Sequence, residues 1–204
     1  MKRLVIISAV IISVIMSVIP AFAQDWEKGF QEVLDAFNAG DYDSALLWFT
    51  PLAEKGNASA QTNLGVMYRT GKGVPKDYAE AVEWYRLAAE QGYAEGQTNL
   101  GVMHEKGQGV TQDYAEAAKW YRLAAEQGHA SAQTNLGVMF DRGQGVAQDN
   151  VLAHMWYNLG AANGSKNGPK NRDSIAEEMT REDISKAQSM ASECMSSDYK
   201  NCGY

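Results

Sequence analysis

From residue 57 onward, apolar and polar positions recur at a step of 36. The heptapeptide "QTNLGVM" stands at 61–67, 97–103 and 133–139. In each copy a leucine and a methionine three positions apart share one face of a helix: Leu64 and Met67, Leu100 and Met103, Leu136 and Met139. Each copy runs into a glycine-bearing stretch, "GKGV" or "GQGV". A second helical segment then follows: "DYAEAVEWYRLAAEQG" (77–92), "DYAEAAKWYRLAAEQG" (113–128) and "DNVLAHMWYNLGAANG" (149–164). Asp77, Asp113 and Asp149 suit N-caps, because a short carboxylate can accept from free backbone N–H groups. Gly92, Gly128 and Gly164 suit helix ends that need a left-handed residue.

A glycine inside a helix costs about 1 kcal/mol against alanine, yet Gly65, Gly101 and Gly137 hold one repeat position. Close helix–helix approach explains them. The pairs Ala88–Ala89 and Ala124–Ala125 are the expected facing residues, with Trp84, Trp120 and Trp156 filling the space between units. Helical hairpins of this kind bury their apolar faces by stacking. The expected fold is therefore all-α, an α/α superhelical solenoid. Its units are 57–92, 93–128 and 129–164.

The flanks complete the division. Residues 24–56 carry a shorter hairpin, with Trp48 and Phe49 where later units have Trp-Tyr and without the five-residue insertion after the first helix. Residues 165–204 break the period. Within them 169–179 and 180–197 read as two capping helices, the second opened by Thr180, with Ile184, Ala187, Ala191, Cys194 and Met195 on one face. Residues 1–23 have Lys2 and Arg3, an apolar run, and Ala21 and Ala23 before Gln24. This reads as a signal peptide cleaved after Ala23, against an uncleaved membrane anchor as the alternative. The expected location is periplasmic or secreted, with no membrane contact after cleavage.

Composition removes several functions. From residue 24 the chain has 16 basic and 25 acidic residues, so the basic footprint of a nucleic-acid binder is missing. Cys194 and Cys202, an even count at short spacing in an exported chain, are expected to form a disulfide. Their seven-residue gap is not the CxxC of a redox pair, and no histidine lies nearby for a metal. His104, His129 and His154 occupy three different repeat positions, so no metal site is expected. The glycine loops lack the lysine and hydroxyl of a phosphate cradle. Glu90, Glu126, Asp77 and Asp113 recur as capping and surface groups. No catalytic residue and no cofactor is expected.

Units such as "LGVMYRTGKGVPKDYAEAVEWYRLAAEQG" (64–92) resemble Sel1-like repeats, relatives of the tetratricopeptide repeat, and 26–56 resembles a tetratricopeptide hairpin. The resemblance implies an adaptor that binds a protein or peptide partner, often in bacterial envelope or signalling assemblies. By likeness to tetratricopeptide arrays, the concave groove would be lined by the first helices. Thr62, Asn63, Arg69 and Thr70 would lie there, with Thr98, Asn99, Glu105 and Lys106, then Thr134, Asn135, Asp141 and Arg142. Asparagine amides can donate to and accept from any peptide backbone; the residues that differ between units would select the partner. A monomer is expected, with an oligomer built through solenoid ends as a rival. Some Sel1-like proteins are associated with penicillin binding or β-lactamase activity, which makes a β-lactam or cell-wall-amide enzyme the alternative. Those chains carry cysteine pairs inside each repeat. These repeats have none and contain no Ser-x-x-Lys.

Overall fold

The computed structural model describes residues 33, 35, 37–199 and 202. The expected signal segment 1–23 and the first part of the 24–56 hairpin lie outside the described residues. Every regular element among those described is an α-helix: α1 (Tyr42–Glu54), α2 (Ala58–Thr70), α3 (Tyr78–Glu90), α4 (Ala94–Lys106), α5 (Tyr114–Ala125), α6 (Ala130–Arg142), α7 (Asn150–Ala162), α8 (Gly168–Ala176) and α9 (Arg181–Ser196). None is long and apolar enough to cross a membrane.

The chain divides into two compact units, 1–49 and 50–204. In the first, Phe37 packs edge-on against Tyr42 and Phe49, with ring centres 5.5 and 6.1 Å away. Phe49 is fully buried there, while Leu47 and Trp48 are exposed.

The second unit is a solenoid of hairpins. Each helix from α2 to α7 packs on the next, α2 also touches α4, and α9 lies against α7. The helix ends follow the expected chemistry. Asp77 and Asp113 each accept from two backbone N–H groups, and Asp149 accepts from Leu152. Gly71, Gly107 and Gly143 close the first helices in the left-handed region. The "GQGV" loops also do more than end helices. At Gly109 and Gly145, with φ +72° and +71°, an added Cβ would overlap the carbonyl of Tyr78 or Tyr114. Each loop thus rests on the start of the preceding hairpin's second helix.

Three packing expectations need correction. Gly65, Gly101 and Gly137 do not face the alanine pairs. A Cβ at Gly101 would stand 2.7 Å from Tyr121 Cε1, and the other two meet Tyr85 and Tyr157 in the same way. The alanine pair instead serves the next hairpin, where Gly96 comes against Ala88. Nor do the tryptophans fill the core uniformly: Trp156 is buried, but Trp84 and Trp120 are half-buried. The phenol ring after each tryptophan is the buried one, because only a glycine opposite leaves room for it.

The third correction is that the period does not end at residue 164. Gly168 stands 72 residues after Gly96 and makes the equivalent approach, to Gly160 and Ala161. Ile175 is buried 36 residues after Met139. Helix α8 is therefore a fourth first helix in register, with Asn171 a step beyond Asn135. Both α8 and α9 cover α7, which explains why Leu159 is buried while its counterparts Leu87 and Leu123 are exposed. On α9, Thr180 caps as expected by accepting from Asp183 N–H, and Ala187, Ala191 and Cys194 are buried, but Met195 is exposed.

Cys194 and Cys202 form a disulfide with Cα atoms 4.5 Å apart. The tail it closes holds Asp198 and Tyr199 at positive φ. It also lays the Tyr199 ring over Gly128 and bonds the Tyr199 hydroxyl to the Asn163 amide.

Candidate partner-binding site

The first helices place their equivalent residues in rows, and the expected stripe separates into three kinds. Thr62, Thr98 and Thr134 are buried, not offered to a partner. Each hydroxyl donates to the carbonyl four residues back, and two continue into the next hairpin. Thr98 Oγ1 lies 2.8 Å from His129 Nδ1, and Thr134 Oγ1 lies 2.8 Å from Ser165 Oγ. They are ties between repeats.

Asn63, Asn99 and Asn135 are half-buried. Asn63 donates to Ser59 O at 2.9 Å, and Asn135 donates to the Tyr121 hydroxyl. Asn99 and Asn135 share an open cleft of about 290 Å³ between α4 and α6, with Glu95, Val102, His129 and Ser131. A second cleft of about 130 Å³ lies between α6 and α8, lined by Asp141, Arg142, Tyr157 and Asn171 among others. Thr70, Lys106 and Arg142 are exposed at the helix ends, and the Thr70 hydroxyl is occupied by Val66 O.

Arg69, Glu105 and Asp141 are half-buried, and each meets a tyrosine sixteen residues later. Arg69 Nε donates to Tyr85 Oη at 3.1 Å. Tyr121 Oη donates to Glu105 at 2.6 Å, and Tyr157 Oη to Asp141 at 3.0 Å. A phenol both donates and accepts, so one hydroxyl position serves either charge. Burial pushes all three phenols above their ordinary range. The neighbouring carboxylate adds to this at Tyr121 and Tyr157, whereas Arg69 opposes it at Tyr85. Burial likewise holds His129 below the usual imidazole range, with Glu95 opposing.

Sequence reasoning missed two features. The tyrosines that follow the tryptophans recur at a step of 36, which matches that of the charged row. The buried Gln61, Gln97 and Gln133 were also overlooked. Each donates to a carbonyl eight residues earlier (Ala53, Ala89, Ala125) and accepts from an amide thirty residues later (Gln91, Gln127, Asn163). The signal was an invariant polar residue inside an otherwise apolar pattern. Among the described residues no group of histidine, cysteine or carboxylate side chains could hold a metal ion.

Comparison with known proteins agrees with this architecture. The crystal structure of a Sel1 repeat protein from Oxalobacter formigenes is similar at 29% identity and a TM-score of 0.62, over 83% of this chain and 77% of that one. That of c5321, a protective antigen of uropathogenic Escherichia coli displaying an SLR fold, is similar at 28% identity and a TM-score of 0.58. It is matched over 76% of this chain, which spans 42% of its length. No curated protein matches the chain. The Sel1 repeat model matches residues 39–57, 58–93, 94–129 and 130–165. With more than half of its residues in these four blocks, and hairpins stacked as described, the chain belongs to the Sel1 repeat family.

Proposed function

We propose that this protein is a non-catalytic adaptor of the bacterial envelope that binds a peptide or protein partner along its first-helix face. Sel1 repeats generally mediate protein–protein interactions, and the family is typically a non-catalytic scaffold. The observation that carries the reading is the cleft between α4 and α6, open to solvent and shared by Asn99 and Asn135. Asn99 makes no side-chain hydrogen bond to another described residue, so its donor and acceptor remain for a backbone. The partner lies along a concave groove, held by asparagines and selected by Arg69, Glu105 and Asp141, with Thr70, Lys106 and Arg142 at the rim. In this reading 24–56 is a tetratricopeptide-like hairpin, 57–164 the binding array and 165–204 its cap. The protein acts as an exported monomer, cleaved after Ala23. The disulfide suits an oxidising compartment.

The test is a crosslinking capture from envelope extract with residues 24–204 and with the Asn63→Ala, Asn99→Ala, Asn135→Ala triple variant, both checked by circular dichroism. A species retained by the first and lost by the folded variant supports the reading. Equal capture by both moves the site off the asparagine row.

A further inference from the structure

Arg69, Glu105 and Asp141 share a feature that a solvated surface does not require. All three are half-buried, and none forms an ion pair among the described residues. Each is steadied by a neutral phenol instead. A partly desolvated charge is ordinarily matched by an opposite one, so these three are left to be matched from outside. The row also changes sign along the solenoid: positive on α2, negative on α4 and negative on α6. Glu95, at the other end of α4, lines the cleft and acts on both Tyr85 and His129. It stands between the positive end of the row and the negative part without forming an ion pair with Arg69. Lys106 and Arg142 follow Glu105 and Asp141 in the chain but are exposed, at the rim.

We propose that the first-helix face binds an extended protein segment carrying one acidic side chain opposite α2 and basic side chains opposite α4 and α6. Packed helices lie about 8–10 Å apart. Successive first helices are spaced comparably, since α2 touches α4 and Asn99 on α4 shares a cleft with Asn135 on α6. An extended chain advances about 3.3 Å per residue. One helix is therefore crossed in about three residues. The segment has the form acidic-x-x-basic-x-x-basic, or the same order reversed. The tyrosine hydroxyls fix where each charge is read, and the charged residues fix its sign. This inference deepens the proposed adaptor function and rests on it.

Fluorescence-labelled nonapeptides, titrated with the full chain in low salt, test it. The set holds Asp-x-x-Lys-x-x-Lys in both directions, the charge-reversed Lys-x-x-Asp-x-x-Asp, and a version with the lysines adjacent. One of the first two peptides should bind at least about tenfold more tightly than the charge-reversed one, since three charge pairs are exchanged for three repulsions. The difference should shrink as salt rises. Glu105→Gln with Asp141→Asn keeps an acceptor for each tyrosine hydroxyl and removes both charges. Once circular dichroism shows that it folds, it should lose about fivefold or more for the basic peptide and nothing for an uncharged one. Equal binding of direct and reversed peptides, or no loss in the double variant, overturns the charge order while leaving the adaptor function standing. If no peptide binds and the asparagine variant captures the same proteins as the unaltered chain, the adaptor site fails with it.

Discussion

The phenol rings of Tyr85, Tyr121 and Tyr157 hold two positions at once, filling the space left by a helical glycine and reaching the charged residues of the first helices with their hydroxyls. The first role makes Gly101→Ala costly. Its Cβ would lie 2.7 and 2.8 Å from two atoms of the Tyr121 ring, and overpacking of this kind costs about 1–3 kcal/mol. Better helix propensity returns about 1 kcal/mol, so a net loss of up to about 2 kcal/mol should appear in urea denaturation. The loss should shrink in a Tyr121→Leu background, because the two sites touch. The second role gives a pH dependence. The folded state keeps the Tyr121 and Tyr157 protons that the unfolded chain releases from about pH 10. Stability should thus be level between about pH 8 and 10 and fall as pH rises above 10. Urea midpoints between pH 8 and 11 would show this, with a shallower fall in Tyr121→Phe. The glycine was legible in the sequence as a close approach, but its partner was not. A letter pattern shows that a residue is small without showing which of two neighbouring helices it admits.

At the scale of the element, the buried glutamines join each hairpin to its neighbours. Gln97 takes the Ala89 carbonyl from the preceding helix and presents its own oxygen to Gln127, at the end of the following one. Gln97→Met keeps the volume but removes two hydrogen bonds: one to the Ala89 carbonyl, which still accepts from Gly92 N–H, and one from the Gln127 amide, which still donates to Leu123 O. The cost should be about 1–2 kcal/mol, read as a lower urea midpoint, while a change at an exposed residue outside this network, such as Gln188→Met, should cost less. Helix starts and stops were legible because capping is local: Asp77, Asp113, Asp149 and Thr180 act within three residues of themselves. The candidate site was less so. Spacing alone assigned the threonines to the open stripe, whereas their side chains are buried and the hydroxyls tie Thr98 to His129 and Thr134 to Ser165. Those ties run between hairpins, which no single-helix projection contains.

For the molecule as a whole, the tail between Cys194 and Cys202 secures the C-terminal end of the solenoid. It holds Tyr199, a non-glycine residue at φ +61°, against both Gly128 and Asn163. Closing so short a loop is worth about 2–3 kcal/mol in the chain-entropy account. Reduction, or Cys194→Ser with Cys202→Ser, should lower the melting temperature by several degrees. Faster hydrogen exchange should be confined to α7, α9 and the end of α5. The stacking of hairpins was readable from the repeat itself. The continuation of its register into α8 was hidden, because Gly168 and Ile175 are the inward residues kept there while the surrounding letters changed.

The glutamine bonds, reaching eight residues back and thirty forward, also count. A glutamine finds both partners only when the stretch that returns the chain to the same position is one whole unit long. Loss of residues 93–128 would bring Gln133 to the carbonyl of Ala89 in place of Ala125, with every amide still matched. Loss of 34 residues would strand two amides in a dry interior. The array is thus quantised in length: it can grow or shorten by a module and retain its grammar, while intermediate lengths are unreadable to its own core. Three nearly identical units in one chain are what such arithmetic permits, because duplication is the change it tolerates best.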